Sequence, residues 1–460
     1  MKLLNVLLFL LFTTSLFAQK NVVQIIVDDL GWTDLGCYGS DYYETPSIDA
    51  LADKSIKFTN SYASCNVCSP TRASIVTGKY PASLNLTDWI EGWKYPKAKF
   101  LPPEWTMYLD PSIPTIGQIF KENGYKTAHF GKWHLGEAEK YWPENHGFDE
   151  NHGGWRKGAP NKNKKAGSNG YFAPYGNPRL EDGPEGEYLT ERIASDVCQF
   201  LEANKDTTFF VNLWFYNVHT PLQAKQEKVD RYQQKEKGEH HHNATYAAMV
   251  EHVDDATGVV LTKLDELGLM ENTIIIFSSD NGGLHGKKKR PVTSNYPLRG
   301  GKGMIYEGGI RIPTMIYHPQ HNARIESTSI SSIDYLPTLV DLAGVNVNKK
   351  IRKDWDGTSL ANLVTNEKEV DRPLFWHYPH YHQQGAVPHT AILDGDWKLI
   401  HNIELDKYEL YNVKEDISEK NNCIDSHQGV YKKLLKKMEA WKKEVNAQMP
   451  VHNPNYQPSK

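Results

Sequence analysis

The chain reads as an α/β protein. A large mixed, mostly parallel sheet flanked by helices is expected, followed by a smaller C-terminal antiparallel sheet plus helix. Three observations predict this. Four runs, Asn21–Val27, Tyr125–Phe130, Phe209–Phe215 and Thr273–Ser279, are short and mostly apolar, rich in β-branched and aromatic residues, and alternate with helical stretches, the pattern of strands buried in a parallel sheet. All four end in polar, chemically capable residues. Beyond Asp356-Gly357-Thr358-Ser359-Leu360 the texture changes to strand-like pieces without long helices, closed by one helical stretch over about 430–448. A domain boundary is therefore expected near residue 360, separating a catalytic part (19–359) from a smaller α+β part (360–460).

Length and charge narrow the class. At 460 residues the chain exceeds one ordinary core, so two domains are expected. Basic and acidic side chains number 52 and 56, a balance that argues against a general nucleic-acid binder. Met1-Lys2 and the apolar run Leu3 to Phe17, ending Leu16-Phe17-Ala18-Gln19, read as a signal peptide over residues 1–18. No Cys follows that cleavage point, so no membrane anchor is indicated, and no later run is long enough to span a bilayer. The mature protein is expected in the periplasm or outside the cell. Its five cysteines (37, 65, 68, 198 and 423) are an odd number for that setting, and their spacing does not say whether any pair.

The first strand, Asn21–Val27, runs into Asp28-Asp29. Adjacent acids at a strand's C-terminal end sit where open α/β sheets hold ligands, although either can equally cap a turn. A helix from Pro46 leads to a strand near Lys57-Phe58. Cys65 to Gly78 then reads as a loop that turns into a short helix: Pro70 suits the first turn and Gly78 the position past the end. Cys68 falls at that helix N-terminus, where free N–H groups favour an anion and are expected to depress a thiol pKa. Arg72, one turn on, can hold the same anion. An ordinary buried Cys beside a helix start has the same local signature.

Asp88 to Pro114 has no periodicity and reads as a surface excursion. The second strand ends in Gly131-Lys132-Trp133-His134. Asn151 to Glu187 is rich in Gly, Pro, Asn and Lys, with Trp155-Arg156, Tyr171-Phe172 and Tyr175 interspersed, and reads as a functional or mobile flap. The third strand delivers Asn217-Val218-His219-Thr220-Pro221. His240-His241-His242 precede a helix over about 245–267; three adjacent His cannot all face one metal from a regular element, and Glu251, His252, Asp254 and Asp255 read as that helix's polar face. The fourth strand ends in Asp280-Asn281-Gly282-Gly283 and opens a basic loop with His285, Lys287, Lys288, Lys289, Arg290, Arg299 and Lys302. A further strand is expected over Gly309–Tyr317.

Cys68-Ser69-Pro70-Thr71-Arg72, followed by a short helix and Thr77-Gly78, resembles the signature of the type I, formylglycine-dependent sulfatases. Gly124-Tyr125-Lys126-Thr127-Ala128-His129-Phe130-Gly131-Lys132-Trp133-His134 resembles that family's second signature. The likeness continues through the His-Thr-Pro, Asp-Asn-Gly-Gly and Gly-Lys-Gly pieces and through Gly395-Asp396-Trp397-Lys398-Leu399-Ile400, covering nearly the whole chain. It lies nearest to bacterial polysaccharide sulfatases of the galactosamine-6-sulfatase and arylsulfatase A-like group. Asn66 departs from the pattern, where many relatives have a small residue or Pro. The resemblance implies an alkaline-phosphatase-like fold and oxidation of Cys68 to formylglycine (3-oxoalanine) by a formylglycine-generating or sulfatase-maturating enzyme. It also implies a metal held by Asp28, Asp29, Asp280 and Asn281, with the Cys68-derived oxygen completing the shell.

The residues themselves fit that picture. Parallel strands bring their ends to one edge, and three carboxylates with an amide oxygen form a hard set suited to Ca²⁺ or Mg²⁺, not zinc. Ca²⁺ is favoured because it tolerates irregular carboxylate cages and dehydrates easily. Chemistry and family pattern together assign Arg72, Lys132 and Lys302 to charge neutralisation, His219 (with Lys302 nearby) to protonation of the leaving oxygen, and His134 to the proton of the residue-68 hydrate. His285, Arg299, Trp155 and Arg156 are expected to grip a sulfated carbohydrate, with algal polymers (ulvan, carrageenan, fucoidan) favoured over glycosaminoglycans and attack expected at a chain terminus. Two other readings stay open on the sequence: a phosphomonoesterase or phosphodiesterase of the same superfamily, and an unmodified protein that only binds sulfated glycans. A Cys protease would leave the strand-end acids unexplained.

Overall fold

A computed structural model describes residues 19–92, 95–163, 167–287, 290–368 and 370–457. The leader read at 1–18 lies outside the described residues, as do Lys288 and Lys289 of the basic loop.

The main sheet has eight strands: β1 (Asn21–Val27), β2 (Ile56–Phe58), β3 (Lys126–Gly131), β4 (Glu150–His152), β5 (Phe209–Phe215), β6 (Thr273–Ser279), β7 (Thr314–Tyr317) and β8 (Arg324–Glu326). Their spatial order is β8-β2-β7-β6-β1-β5-β3-β4. All run in one direction except β7, which is antiparallel to both its neighbours. The central strand β1 is buried on both faces, which is why its sequence is nearly all apolar. Val23, Ile25 and Val27 pack with α2 (Leu189–Ala203) and α3 (Ala244–Glu266) through Ile193, Val197, Val253 and Val260. Val22 and Ile26 face the other layer, which holds Ile75 and Val76 of α1 (Cys68–Thr77) and Leu336 and Leu339 of α4 (Tyr335–Leu342).

Register brings the strand ends level. Val27 of β1 pairs with Phe215 of β5 and with Ser279 of β6, and Trp214 of β5 pairs with Gly131 of β3. The residues that follow each strand therefore emerge side by side at one edge.

The smaller sheet is a four-stranded antiparallel meander, β9 (Leu374–Tyr378), β10 (His389–Asp394), β11 (Trp397–Asn402) and β12 (Lys407–Asn412), followed by α5 (Gln428–Glu444). Alternation along β10 divides its work. Ile392 packs under Leu434, Met438 and Trp441 of α5, while Ala391 and Leu393 face Tyr62, Ile305 and Ile310 of the larger part.

The structure corrects two readings. The strand expected over Gly309–Tyr317 is confined to β7, because residues 307–310 form a short helix packed backbone to backbone on the loop after β6. A Cβ on Gly282 would lie 1.9 Å from the Gly308 carbonyl oxygen, so that approach requires glycine. The polar residues of α3 are mostly engaged by neighbouring elements, while Asp255 stays exposed: Asp254 accepts N–H bonds from Ser47 and Ile48, Glu251 pairs with Lys228 and Arg231, and His252 stacks on Tyr188 at 3.9 Å. The aromatics of the 151–187 stretch point inward; Tyr171 is fully buried and its hydroxyl donates to the carbonyls of Tyr216 and His219.

Candidate active site

α1 begins where Val67, still extended, hands over to Cys68, and it ends at Gly78, whose φ of 69° lets its N–H reach the Ser74 carbonyl. Every residue of this helix is buried. Cys68 sits at the wall of a cavity of about 360 Å³ that His134, His219 and Lys302 also line.

Behind that wall the strand-end acids converge. Ligand atoms of Asp28, Asp29 and Asp280 lie within 4.8 Å of one another. Asn281 Nδ2 donates to Asp29 Oδ1 at 2.9 Å, which leaves its Oδ1 as the free acceptor. Asn281 Oδ1 and Asp28 Oδ1 are both buried without a hydrogen-bond partner. Buried acceptor oxygens are seldom left unpaired, and two of them in an all-oxygen cluster are what a hard cation would satisfy. The residues present fit Ca²⁺ or Mg²⁺.

Three cations hold the acids from the other side. Arg72 Nε donates to Asp280 Oδ2 at 2.8 Å, Lys132 Nζ to Asp28 Oδ2 at 2.7 Å, and Lys302 Nζ to Asp29 Oδ2 at 2.8 Å. The three acids and three bases balance, so a dication would leave the site net positive and receptive to an anionic ester. Burial pushes the Asp28 carboxyl well up despite Lys132 beside it, and Asp280 and Asp29 add to that push. Burial also pushes Asp29 up, but Lys302, His219 and Lys132 outweigh it and hold that carboxyl below its usual range.

The two histidines present different atoms. His134 Nε2 lies 3.2 Å from the Ile90 carbonyl and donates to it, so the neutral ring turns its Nδ1 lone pair to Cys68 Sγ at 3.5 Å and Ser69 Oγ at 3.2 Å. Burial, with Lys132 and Arg72 nearby, holds His134 well below its usual pKa and therefore unprotonated. His219 Nδ1 donates to the Thr220 carbonyl at 2.7 Å, leaving Nε2 3.7 Å from Asp29 Oδ2; burial and Lys302 push its pKa down to about 3. The thiol of Cys68 is raised, not depressed as its place at a helix start led us to expect, because burial exceeds the pull of Lys132 and Lys302.

The four residues expected to grip a carbohydrate do not line the Cys68 cavity. Trp155 is buried, and its carbonyl accepts the His134 N–H; Arg156 turns outward to Glu137. Arg299 stacks 3.5 Å over Tyr306 and donates to Tyr411 Oη and the Glu419 carbonyl. His285 lines two other cavities. The Cys68 cavity is instead rimmed by Trp89, Lys157, His382 and Gln383. Lys157 belongs to the Asn151–Glu187 stretch read as a functional or mobile flap, which also lends Pro160 and Lys162 to this wall. No motif flagged Trp89, His382 or Gln383; the last two come from the turn between β9 and β10, far along the chain.

A family model described as Sulfatase matches residues 20–345, and one described as N-sulphoglucosamine sulphohydrolase, C-terminal, matches 301–447. The chain belongs to the sulfatase family. This sulfatase is 29% identical to a sulfatase of Formosa agariphila, over 93% of its own length and 90% of that protein's. It is 28% identical to the N-acetylgalactosamine-6-sulfatase of Rattus norvegicus, over 78% and 68% of the two chains. Among solved structures, Ps i-CgsB in complex with k-i-k-neocarrahexaose superposes with a TM-score of 0.78 at 28% identity, covering 96% of this chain and 95% of that one. The sulfatase is a hydrolase of sulfuric esters, and the acidic cluster at its strand ends is a candidate metal site.

Proposed function

We propose that the protein hydrolyses sulfate esters on oligosaccharides of a sulfated polysaccharide, with formylglycine made from Cys68 as the nucleophile. The reading rests above all on one arrangement: residue 68 meets the Nδ1 lone pair of His134 and shares a cavity wall with Lys302, whose ammonium holds Asp29 of the Asp28, Asp29 and Asp280 cluster. Ca²⁺ held by those four residues would lower the pKa of the residue-68 hydrate and polarise a sulfate oxygen. Arg72, Lys132 and Lys302 neutralise charge that shifts during S–O cleavage. Lys302 and His219 flank the leaving oxygen: the Lys302 ammonium has a proton to give, whereas His219 can act as the acid only once the negative charge of a bound ester draws a proton onto its bare Nε2. His134 removes the proton whose loss expels sulfate and regenerates the aldehyde. Residues 1–18 direct export to the periplasm, 19–359 carry the chemistry and 360–460 form the smaller part.

For the substrate, the full-length likeness to Ps i-CgsB, whose complex holds k-i-k-neocarrahexaose, favours an algal glycan of the carrageenan kind. Ion chromatography of released sulfate tests this. Carrageenan oligosaccharides should exceed aryl sulfates in kcat/KM, and no release from any sulfated glycan would remove the carbohydrate assignment.

A further inference from the structure

A second cavity, of about 410 Å³, is walled by His240, His242, His285, Tyr296 and Asn243, and no carboxylate lines it among the described residues. Tyr296 is 55% exposed, and its ring stacks on His240 with centroids 3.8 Å apart. Such a pair presents a flat aromatic platform to the cavity.

The platform is held from beneath. His241, between the two cavity-lining histidines, is buried: its Nδ1 lies 2.9 Å from Asp41 Oδ1 and its Nε2 3.0 Å from the Ser294 carbonyl. Asp41 also accepts the backbone N–H groups of His240 and His241. The Asp41–His241–Ser294 link thus ties the segment carrying His240 to the segment carrying Tyr296, which keeps the two outer rings stacked. This resolves the His triplet: the middle ring is an anchor and its neighbours face the cavity.

We propose that this cavity is a non-catalytic binding site for a sulfated glycan chain, with the His240–Tyr296 stack supporting the apolar face of a sugar ring and His242, His285 and Asn243 meeting its hydroxyl and sulfate oxygens. Walls without carboxylates do not repel an anionic polymer, and the ring platform offers stacking area at little entropic cost. The site adjoins a further cavity. His285 and Gly300 line both this one and a neighbour of about 470 Å³. That neighbour is bordered by Gly385 and Ala386 of the turn whose His382 and Gln383 border the Cys68 cavity. A chain long enough to reach from Tyr296 to residue 68 would be presented there at raised effective concentration.

The inference rests on the glycan reading above, and the experiment separates the two. Binding is measured by titration calorimetry in the full-length chain carrying Cys68→Ala, with carrageenan and chondroitin sulfate di-, tetra- and hexasaccharides as probes. Tyr296→Ala should weaken hexasaccharide binding about tenfold, leave disaccharide binding unchanged, and be rescued by Tyr296→Phe. In the unmutated background Tyr296→Ala should leave aryl sulfate turnover unchanged. Hexasaccharide binding equal to that of the parent would overturn the second site while leaving the glycan reading intact. No binding of any probe by the parent would overturn both.

Discussion

Arg72 and Asp280 form a fully buried ion pair, Nε to Oδ2 at 2.8 Å, and the same guanidinium reaches to 3.6 Å from Asp28 Oδ1. One cation therefore braces two acids of the candidate metal cluster, on the helix that begins with Cys68. Arg72→Met should abolish activity and destabilise the fold by about 3–5 kcal/mol, because it leaves buried carboxylates uncompensated. Arg72→Lys should rescue little, since one ammonium cannot reach Asp280, Asp28 and the Lys132 carbonyl together. A wild-type Tm in Arg72→Met would contradict this bracing role.

Asp28 Oδ1 and Asn281 Oδ1 predict stabilisation by metal. Adding Ca²⁺ to chelator-stripped protein should raise Tm, corresponding to about 2.7 kcal/mol at about a hundredfold excess over Kd. Asp280→Ala should lose that rise. Equal responses in the two proteins would remove the metal from this cluster.

The protein should be sensitive to mild acid. Burial pushes His129 and His389 down to about 3 and His146 to about 4, against about 6.5 in an unfolded chain. The folded state binds these rings neutral, so between those values the unfolded chain holds more protons. Their contribution is fully present above about pH 6.5 and is lost as pH falls towards about 3. Urea midpoints should therefore drop between about pH 7 and about pH 5, before most carboxylates titrate. A flat profile across that interval would show that these rings protonate in the folded state at no cost.

Lys398 couples the smaller sheet to the loop that carries Lys302. Its ammonium donates to the Ile305 carbonyl and to Glu307 Oε1, both at 2.9 Å, and pairs with Glu419, all without exposure to solvent. Lys398→Met should destabilise by about 3–5 kcal/mol and lower kcat, because residues 305–307 continue the loop that carries Lys302. Unchanged Tm and kcat would make the network dispensable.

What the sequence revealed follows from how locally each feature is encoded. Strands buried on both faces announce themselves by uninterrupted apolar runs, and their level register at the β1, β5 and β6 ends makes the residues after them neighbours. Asp28, Asp29, Asp280 and Asn281 were legible for that reason. The lining of the Cys68 cavity was legible only in part. Trp155, Tyr171 and Tyr175 have the composition of an exposed stacking surface but are the buried anchors of an irregular segment, and sequence does not separate those uses. Arg299 looked free for a substrate until Tyr306, Tyr411 and the Glu419 carbonyl, from other parts of the chain, took it up. His382 reaches the Cys68 cavity only through the packing of β9 and β10 against the larger part, which no local pattern records.

The central claim is that residue 68 acts as formylglycine, and mass spectrometry of the peptide spanning Cys68 in protein from its native host tests it most directly. The account predicts a peptide whose residue 68 carries CHO in place of CH₂–SH, with sulfatase activity proportional to the converted fraction. Full activity in protein whose residue 68 is entirely the intact thiol would contradict it.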